Sequence, residues 1–336
     1  MKAVQLLRPA PLESHPLRYG DVEVPTPGPG QLLMKVISCG VCRSNLSMIE
    51  GEWVPNAPAF TPMIPGHEVI GEVSALGEGV DDFVIGDKVG VMPLWSTCRN
   101  CEFCDAGIDE LCQSKHITGE TVDGGYAEYM VATVYHTYKI PDVLTVPSAA
   151  PFFCPAITAY GSVKKVDLGP GKSVAVFGVG GVGHVALQFA ALTGAETIAV
   201  SRGRGRLDLA EELGASRVVD SSKGDAADQL TKTGGVDVAM VFAPSDEVVA
   251  AALASVKPGG TLVLGVNATI GAFPFAVEKH IVGSLLGTRQ MMREVIDIAA
   301  SGTVRIVSET RPLAEAERAL ADLKAGAVSG RLVLVP

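Results

Sequence analysis

The sequence has no surplus of basic residues, and this absence removes whole classes of partner. Its 336 residues include 27 Lys and Arg against 37 Asp and Glu, which gives a net charge of −10 with neutral histidines. Nucleic acids and anionic membrane surfaces attract proteins through basic patches. We therefore expect neither a nucleic acid nor a membrane among the partners of this chain.

An export signal and a membrane span are also not expected. The first residues reach Arg8 and then Pro9 before a long apolar segment develops. The longest apolar stretch, residues 174–200, is interrupted by several glycines and by polar residues such as His184 and Glu196. A strand, a turn and a helix fit that stretch better than a transmembrane helix does. We expect a cytoplasmic protein.

Charged residues are scarce at 19%, while apolar residues reach 47%. A chain of this length and composition has room for about two domains with sizeable cores. Residues 1–154 contain short β-rich runs broken by Pro and Gly, such as 22–30 and 62–66. This texture predicts a compact β domain with long connections.

Strand and helix patterns alternate between residues 155 and 289. The apolar strand candidates are 174–177, 197–200, 217–219, 236–242, 261–266 and 282–286. Six strands joined by helical crossovers predict a doubly wound α/β fold with a parallel sheet. Residues 290–336 carry helical patterns at 291–300 and 313–325 and a closing strand at 331–335, and we expect them to return to the first domain.

Cysteines are few, seven in all, yet four of them fall within fifteen residues. These four are Cys98, Cys101, Cys104 and Cys112. Thiolates at this spacing can enclose one tetrahedral zinc ion, and an intracellular chain makes a disulfide framework the poorer explanation. We predict a closed, structural zinc site in a lobe at about residues 95–115.

A second donor set is spread along the chain. Cys42, His67 and Cys154 would give zinc two thiolates and one imidazole and leave a fourth position for water or substrate. None of the three is convincing alone, because a single buried Cys is usually inert and a single His is usually a satisfied polar group. Cys39 and Cys42 also form a Cys-x-x-Cys pair, so a redox dithiol stays open on spacing alone.

A glycine-rich turn follows the first strand of the second domain. Residues 178–183 read Gly-Val-Gly-Gly-Val-Gly and run into a helical stretch at 185–192. In that context Gly178 permits a tight turn, Gly180 lets the backbone approach a pyrophosphate, and Gly183 lets helix and strand pack closely. The predicted dinucleotide contacts are Gly178, Gly180, Gly181, Val182 and Gly183.

The end of the next strand indicates which dinucleotide is bound. An NAD site usually places an acidic residue about 20 positions after the glycines, to accept hydrogen bonds from the ribose. Here Ser201 takes that place, and Arg202, Arg204 and Arg206 follow. A serine or an arginine can bind the 2′-phosphate of NADP, which a carboxylate would repel. We predict NADP(H) rather than NAD(H), bound by Ser201, Arg202 and Arg206, and expect at least one of the arginines to be solvated.

Together, the two donor sets and the glycine turn resemble the zinc-containing medium-chain alcohol dehydrogenases over almost the whole chain. Segments 86–89, 123–128, 287–289 and 330–331 agree as well. The resemblance implies a GroES-like catalytic domain, residues 1–154 and 290–336, and a Rossmann domain, residues 155–289, with the active site in the cleft between them. It also implies two zinc ions per chain and a homodimer or homotetramer.

The same resemblance assigns the catalytic ligands. Cys42 rather than Cys39 is the zinc ligand, and His67 and Cys154 complete the set. Glu68 lies beside the metal as a transient ligand.

The resemblance also assigns roles near the cofactor. Ser44 passes the substrate proton outward, and Arg43 meets the pyrophosphate. Arg331 supplies a second pyrophosphate contact, and Thr158 joins the cofactor-binding residues.

Two positions depart from the family pattern. Asn45 stands where the family usually has an aspartate that accepts the second N–H of the ligand histidine. An amide oxygen can still accept but carries no charge, which implies a slightly weaker donor set and a more acidic zinc. Ser47 stands where some members have a histidine that ends the proton relay, so water is expected to serve there.

The implied activity is hydride transfer between NADP(H) and an alcohol, aldehyde or ketone, with zinc polarising the substrate oxygen and reduction as the expected direction. Trp53, Trp95 and Phe60 lie in segments that could line an apolar substrate pocket, or they are ordinary core residues. Two alternatives stay open. One is a polyol or sugar alcohol dehydrogenase of the same fold, and the other is a non-catalytic NADPH sensor whose zinc is only structural.

Overall fold

The computed structural model describes residues 1–52 and 57–336, and these form two compact units. Unit 1 comprises Met1–Cys154 and Thr288–Pro336, and unit 2 comprises Pro155–Gly287. The strands are β1 (Lys2–Leu6), β2 (Leu17–Asp21), β3 (Gln31–Gly40), β4 (Val69–Leu76), β5 (Lys88–Val91), β6 (Leu94–Ser96), β7 (His116–Ile117), β8 (Tyr129–Thr133), β9 (Thr137–Lys139), β10 (Ser173–Phe177), β11 (Glu196–Ser201), β12 (Arg217–Asp220), β13 (Val236–Val241), β14 (Val256–Leu264), β15 (His280–Gly283), β16 (Ser308–Pro312) and β17 (Arg331–Val335). The α-helices are α1 (Arg43–Ile49), α2 (Glu102–Asp105), α3 (Pro155–Lys164), α4 (Gly183–Ala191), α5 (Arg204–Glu212), α6 (Ala226–Thr231), α7 (Asp246–Ser255), α8 (Arg289–Ala300) and α9 (Ala316–Lys324).

Unit 1 is built on a largely antiparallel sheet. In the described residues its strands run in the order β16, β17, β3, β4, β5, β9, and β8 also pairs with β3. Only β16 and β17 are parallel among these described pairs. Leu32, Met34 and Val36 of β3 pack with residues of β4 and β5 into an apolar core. The sheet therefore holds the long strand β3 in a fixed place, and that strand leads to the first candidate site residues.

The Pro- and Gly-rich runs at 22–30 and 62–66 contain no strand among the described residues. The expectation of β structure inside them is therefore wrong. Prolines such as Pro25 have no N–H to donate to a ladder, so these runs form irregular connections. Met63 keeps a single isolated bridge to Leu6.

Unit 2, all of which is described, contains a six-stranded parallel sheet in the order β12, β11, β10, β13, β14, β15. This is the strand order of a doubly wound Rossmann fold, as predicted. Every residue of β10 is buried, which is why its residues 174–177 form a continuous apolar run. Phe177, Ile198, Val241 and Leu262 contribute to the core around it.

The last strand of this sheet is displaced from its predicted position. β15 runs from His280 to Gly283, whereas the apolar pattern indicated 282–286. As the edge strand it has a neighbour on one side only. Ile281 is 36% exposed and Leu285 beyond it is 56% exposed, so apolar content did not mark a buried strand here.

The C-terminal residues, Thr288–Pro336, belong to unit 1. α8 begins at Arg289, slightly before the apolar pattern, because the Thr288 side chain caps its first turn. The helix expected at 313–325 opens with a 3-10 turn, Leu313–Glu315, and then continues as α9. None of the helices in the described residues is long and apolar enough to cross a membrane.

Candidate zinc centre and nucleotide site

Sheet register brings the predicted catalytic ligands together in unit 1. β3 and β4 are antiparallel, and Cys39 pairs with Val69 at one end of their ladder. Cys42 and His67 lie just beyond that end, on the two chain segments that meet there. Cys154 follows directly after a 3-10 helix that packs on the same strands. Three residues that are far apart in sequence thus reach one place.

These residues form a compact donor set. One ligand atom from each of Cys42, His67, Glu68 and Cys154 lies within 4.8 Å of the others. The two sulfur atoms are 3.8 Å apart, and both cysteines are free thiols. His67 Nε2 and Glu68 Oε2 are buried with no hydrogen-bond partner among the described residues. Buried polar atoms normally have a partner, so this set fits a metal cation, and thiols with an imidazole are donors that zinc prefers.

The two thiols differ in their affinity for a proton. Their mutual hydrogen bond lowers the pKa of Cys42 well below its ordinary value, although burial opposes this. The same hydrogen bond and burial raise the pKa of Cys154. Without a cation, one thiolate and one thiol would share a proton. A bound cation would displace that proton, because metals bind the thiolate form.

Glu68 forms a buried ion pair with Arg331. The Arg331 guanidinium contacts Glu68 Oε1, and the two residues are 5% and 0% exposed. β17 begins with Arg331 and pairs with β3, where Val333 lies opposite Gly40. Burial raises the pKa of Glu68 to about 7 against the opposing charge of Arg331. Arg331, which the family resemblance assigns to the pyrophosphate, thus contacts Glu68, the carboxylate of the donor set.

The second ring nitrogen of His67 faces two polar side chains. Asn45 Nδ2 and Glu120 Oε1 each lie 3.4 Å from His67 Nδ1. Asn45 is fully buried on α1, and its Oδ1 has no hydrogen-bond partner in the described part of the chain. The amide therefore presents its nitrogen to the ring, not the oxygen expected from the sequence. Sequence reasoning missed Glu120 altogether, because no metal-ligand spacing marks it.

Three further candidates lie on α1. Ser44 Oγ donates to Cys42 Sγ over 3.5 Å, which places this hydroxyl beside the donor set. Arg43 is exposed at the first position of the helix. Ser47 Oγ donates to Glu52 over 2.8 Å, so a surface carboxylate engages it.

The four-cysteine set also comes together. The sulfur atoms of Cys98, Cys101, Cys104 and Cys112 lie within 4.8 Å of one another, and all four are free thiols. α2 and a 3-10 turn, Asp109–Leu111, fold the lobe back so that Cys112 Sγ lies 3.5 Å from Cys98 Sγ. Four thiolates in this arrangement fit a closed tetrahedral zinc site.

The glycine turn joins β10 to α4 in unit 2. Gly178 has a φ of +95°, and a Cβ there would lie 2.9 Å from Ala243. A Cβ on Gly183 would lie 1.9 Å from the Gly178 carbonyl oxygen, whereas a Cβ on Gly180 would meet nothing of the described chain within 4 Å. Two tightly packed glycines thus flank one that leaves open space at the start of α4. A cradle of this kind at a helix N-terminus fits a phosphate group.

β11 ends at Ser201, which is 6% exposed. Arg204 forms ion pairs with Asp208 at 2.5 Å and with Glu211 at 2.8 Å. Arg202 is exposed and forms no ion pair among the described residues. Arg204 therefore has internal partners, and Arg202 is available to a ligand.

The remaining candidates are characterised mainly by the burial of their side chains. Thr158 is 8% exposed in α3, and Arg206 is half-buried in α5. Trp95 Nε1 donates to a main-chain carbonyl over 3.1 Å, and Phe60 is 46% exposed. Trp53 lies outside the described residues.

A cavity of about 920 Å³ in unit 1 is lined by the zinc lobe, the β8–β9 segment and α8. Its walls include Arg99, Arg289 and Arg293, and the Arg289 guanidinium lies 3.5 Å from the centre of the Tyr135 ring. No residue of the Cys42 donor set lines this cavity. We therefore do not place the substrate there.

Comparisons with known proteins agree with this geometry. The family model for the alcohol dehydrogenase GroES-like domain matches residues 28–142, and that for zinc-binding dehydrogenase matches residues 181–301. An alcohol dehydrogenase of Geobacillus stearothermophilus is 38% identical, over 95% of this chain and 96% of its own length. An alcohol dehydrogenase of Moraxella sp. is 36% identical over 95% of each chain.

The solved structures that resemble this chain include dehydrogenases as well. The alcohol dehydrogenase of Aeropyrum pernix has a TM-score of 0.92 and 33% identity, with 100% of each chain covered. A zinc-binding dehydrogenase of Sinorhizobium meliloti, solved bound to NADP, has a TM-score of 0.90 and 30% identity, with 100% of this chain and 99% of that chain covered. The predicted pairing of a GroES-like domain with a Rossmann domain is confirmed. Because domain models and full-length relatives agree, this chain belongs to the zinc-containing medium-chain alcohol dehydrogenase family.

Proposed function

We propose that this alcohol dehydrogenase uses NADP(H) and works mainly as a reductase of apolar aldehydes and ketones. The observation that carries the proposal is the set of Cys42, His67 and Cys154, in which the buried His67 Nε2 has no hydrogen-bond partner within the described residues. A buried imidazole nitrogen beside two thiols is the donor arrangement of a catalytic zinc site.

Cys42, His67 and Cys154 would hold the catalytic zinc, and the four-cysteine lobe would hold a second ion, so about two zinc ions per chain are expected. When bound in the first site, zinc supplies a Lewis acid that polarises the substrate oxygen. Glu68 lies within reach as an exchangeable donor, and Arg331 offsets its charge. These two residues would let the donor set adjust as substrate and product exchange.

Ser44 would move the substrate proton. Its hydroxyl lies 3.5 Å from Cys42 Sγ, and a hydroxyl can accept one proton while it donates another. Ser47 is engaged by Glu52, which supports water rather than Ser47 as the outer end of the relay.

Unit 2 would bind the dinucleotide at the start of α4, with its pyrophosphate over Gly180, Gly181 and Val182. A bound dinucleotide would supply the hydride-transfer chemistry. Ser201 and Arg202 would bind the 2′-phosphate, because Ser201 carries no charge to repel it and Arg202 has no internal ion-pair partner in the described chain. The proposed further contacts are Arg43, Thr158, Gly178, Gly183, Arg206 and Arg331.

We also propose a cytoplasmic homodimer or homotetramer. Support for association comes from β15, an edge strand beside strongly exposed apolar residues. Phe275 is 85% exposed and Leu285 is 56% exposed. Unpaired edges and exposed apolar side chains are features that subunit contacts commonly cover.

The test is metal analysis of the purified protein, followed by turnover of a panel of aldehydes, ketones and polyols with NADPH and with NADH. We expect faster reduction of apolar carbonyls with NADPH. The Cys42→Ser variant should lose turnover while it keeps NADPH binding, since the glycine turn and Ser201, which carry most of the proposed dinucleotide contacts, belong to unit 2. NADPH binding without turnover of any substrate by the wild type would instead support a sensor with structural zinc, and a preference for polyols would support the sugar alcohol alternative.

A further inference from the structure

We propose that Glu120 is the positioning residue of the ligand histidine, a role that rests on the proposed zinc site. Asn45 stands where the family resemblance implies a carboxylate, and Glu120 brings a carboxylate to the same histidine from another segment of the chain. Glu120 Oε1 and Asn45 Nδ2 approach the same atom, His67 Nδ1, each at 3.4 Å.

The two ring nitrogens of His67 have different surroundings. Nε2 has no hydrogen-bond partner among the described residues, which leaves it as the ligand atom of the donor set. A histidine that binds metal through Nε2 carries its proton on Nδ1, and in a buried site that proton needs an acceptor. His67 is 2% exposed and Glu120 is 7% exposed, so water is largely excluded from the contact.

Of the two neighbours, Glu120 offers the stronger acceptor. When Nδ1 carries the proton, the amide nitrogen that Asn45 presents to it is a second donor and cannot accept that proton. A carboxylate accepts a charge-assisted hydrogen bond, which is stronger than a neutral one. The 3.4 Å separation is longer than the usual N···O distance of about 2.9 Å, so we expect the contact to shorten when the metal holds Nε2.

The backbone around Glu120 is fixed against the segment that carries His67. Gly119 has a φ of +67°, and a Cβ there would lie 2.4 Å from the Gly66 nitrogen. A Cβ on Gly124 would lie 2.0 Å from the Gly66 carbonyl oxygen, and Gly125 N donates to that oxygen over 2.9 Å. Glycine on both sides of Glu120 thus lets two backbones touch beside His67. The carboxylate is therefore held in place by the fold rather than reaching the ring from a flexible loop.

A carboxylate at this position would counteract the weaker donor set that Asn45 alone implies. A negative acceptor on Nδ1–H fixes the tautomer and the ring orientation, and it makes Nε2 a better donor to the metal. Loss of such a partner typically weakens metal binding by about 10- to 100-fold.

The test is a chelator-competition titration of the zinc-loaded enzyme, with the two zinc sites resolved by their different affinities. The Glu120→Gln variant should bind zinc at the Cys42 site about 10- to 100-fold more weakly, and the four-cysteine site should be unchanged. The cobalt-substituted variant should show a shifted thiolate-to-cobalt absorption band. Addition of Asn45→Asp to Glu120→Gln should restore zinc affinity by returning a carboxylate to Nδ1 from the other side.

A matched control lies in the same turn. Asp123 accepts a hydrogen bond from Ile64 N over 2.8 Å and fastens the same segment. Asp123→Asn should leave the zinc affinity near that of the wild type. If the Glu120→Gln variant does not fold, Glu120→Asp takes its place. This variant keeps the carboxylate but moves it away from the ring, so it should weaken zinc binding to a smaller degree.

The proposal is overturned if Glu120→Gln binds zinc like the wild type, if Asp123→Asn weakens binding equally, or if Asn45→Asp gives no recovery. A wild-type enzyme without zinc at the Cys42 site would instead overturn the proposed function itself. The metal content of the wild type and the difference between variants therefore report on separate claims.

Discussion

At the scale of single residues, cofactor choice should depend on Ser201. Its side chain sits at the end of β11 with no charge, and Ser201→Asp would place a carboxylate against the 2′-phosphate of NADPH. We expect the ratio of kcat/KM for NADPH to that for NADH to fall by at least about tenfold, equivalent to about 1.4 kcal/mol. Arg204→Gln is the control, because Asp208 and Glu211 already engage that arginine. An unchanged ratio in Ser201→Asp would place the 2′-phosphate elsewhere.

His136 gives a second residue-scale prediction. It is 1% exposed, and burial, with Arg289 and Arg99 nearby, lowers its pKa to about 3. An unfolded histidine titrates near pH 6.5, at about the ordinary value. Between these values the unfolded chain binds a proton that the folded chain does not. The free energy of unfolding should therefore fall as the pH drops below about 6.5, by up to about 1.4 kcal/mol per pH unit from this group.

The measurement is denaturant unfolding of the wild type and His136→Gln across that pH range. A glutamine can still bond to Thr97, whose hydroxyl lies 3.2 Å from His136 Nε2. Metal loss at low pH affects both proteins alike, so the difference between their pH profiles isolates the histidine. Parallel profiles would contradict the argument.

Local spacing alone predicted one metal site, and the family resemblance was needed to group Cys42, His67 and Cys154, while neither indicated Glu120. The four-cysteine lobe needs only its own segment, so its spacing predicted the cluster that forms. Glu120 meets His67 only because glycines let two distant segments touch. The orientation expected for the Asn45 amide differs from the observed one for the same reason. It depends on neighbouring side chains that no local sequence pattern shows.

At the scale of elements, two glycines in the turn from β10 to α4 should have different roles. Gly183 should matter for stability, and Gly180 should matter for NADPH binding. A Cβ on Gly183 would lie 1.9 Å from a backbone oxygen, so Gly183→Ala should cost about 1 to 3 kcal/mol of stability. A Cβ on Gly180 would meet nothing of the described chain within 4 Å, so Gly180→Ala should unfold at the wild-type midpoint. Its methyl group would instead occupy the phosphate cradle and weaken NADPH binding. Thermal unfolding and NADPH titration of both variants check this, and equal effects on stability would refute the distinction.

Elements whose burial is uniform were the easiest to predict. β10 is buried along its whole length, so its apolar run and its structure coincide. β15 is an edge strand, and its apolar neighbours are exposed, so the pattern misplaced its ends. The runs at 22–30 and 62–66 show the opposite error, because proline removes ladder donors whatever the surrounding residues prefer.

At the scale of the whole molecule, the two proposed zinc ions should be separable by function. The lobe offers four thiolates, whereas the Cys42 set offers two thiolates, one imidazole and the Glu68 carboxylate, which Arg331 already engages. The lobe cysteines are the more exposed set, so access alone would favour loss from the lobe. At equilibrium with a competing chelator, the number of thiolate donors should decide instead, and the Cys42 set should empty first.

Release of the first zinc equivalent should abolish turnover while the thermal midpoint changes little, because unit 1 keeps its apolar core. NADPH binding should survive, because the glycine turn and Ser201 lie in unit 2. Release of the second equivalent should lower the midpoint, since the lobe would then lose the ion proposed to join Cys98 to Cys112. Zinc release, turnover and unfolding measured on the same samples test this order. Turnover that outlasts the first equivalent, or a midpoint that falls with it, would show that the roles of the two sites are reversed.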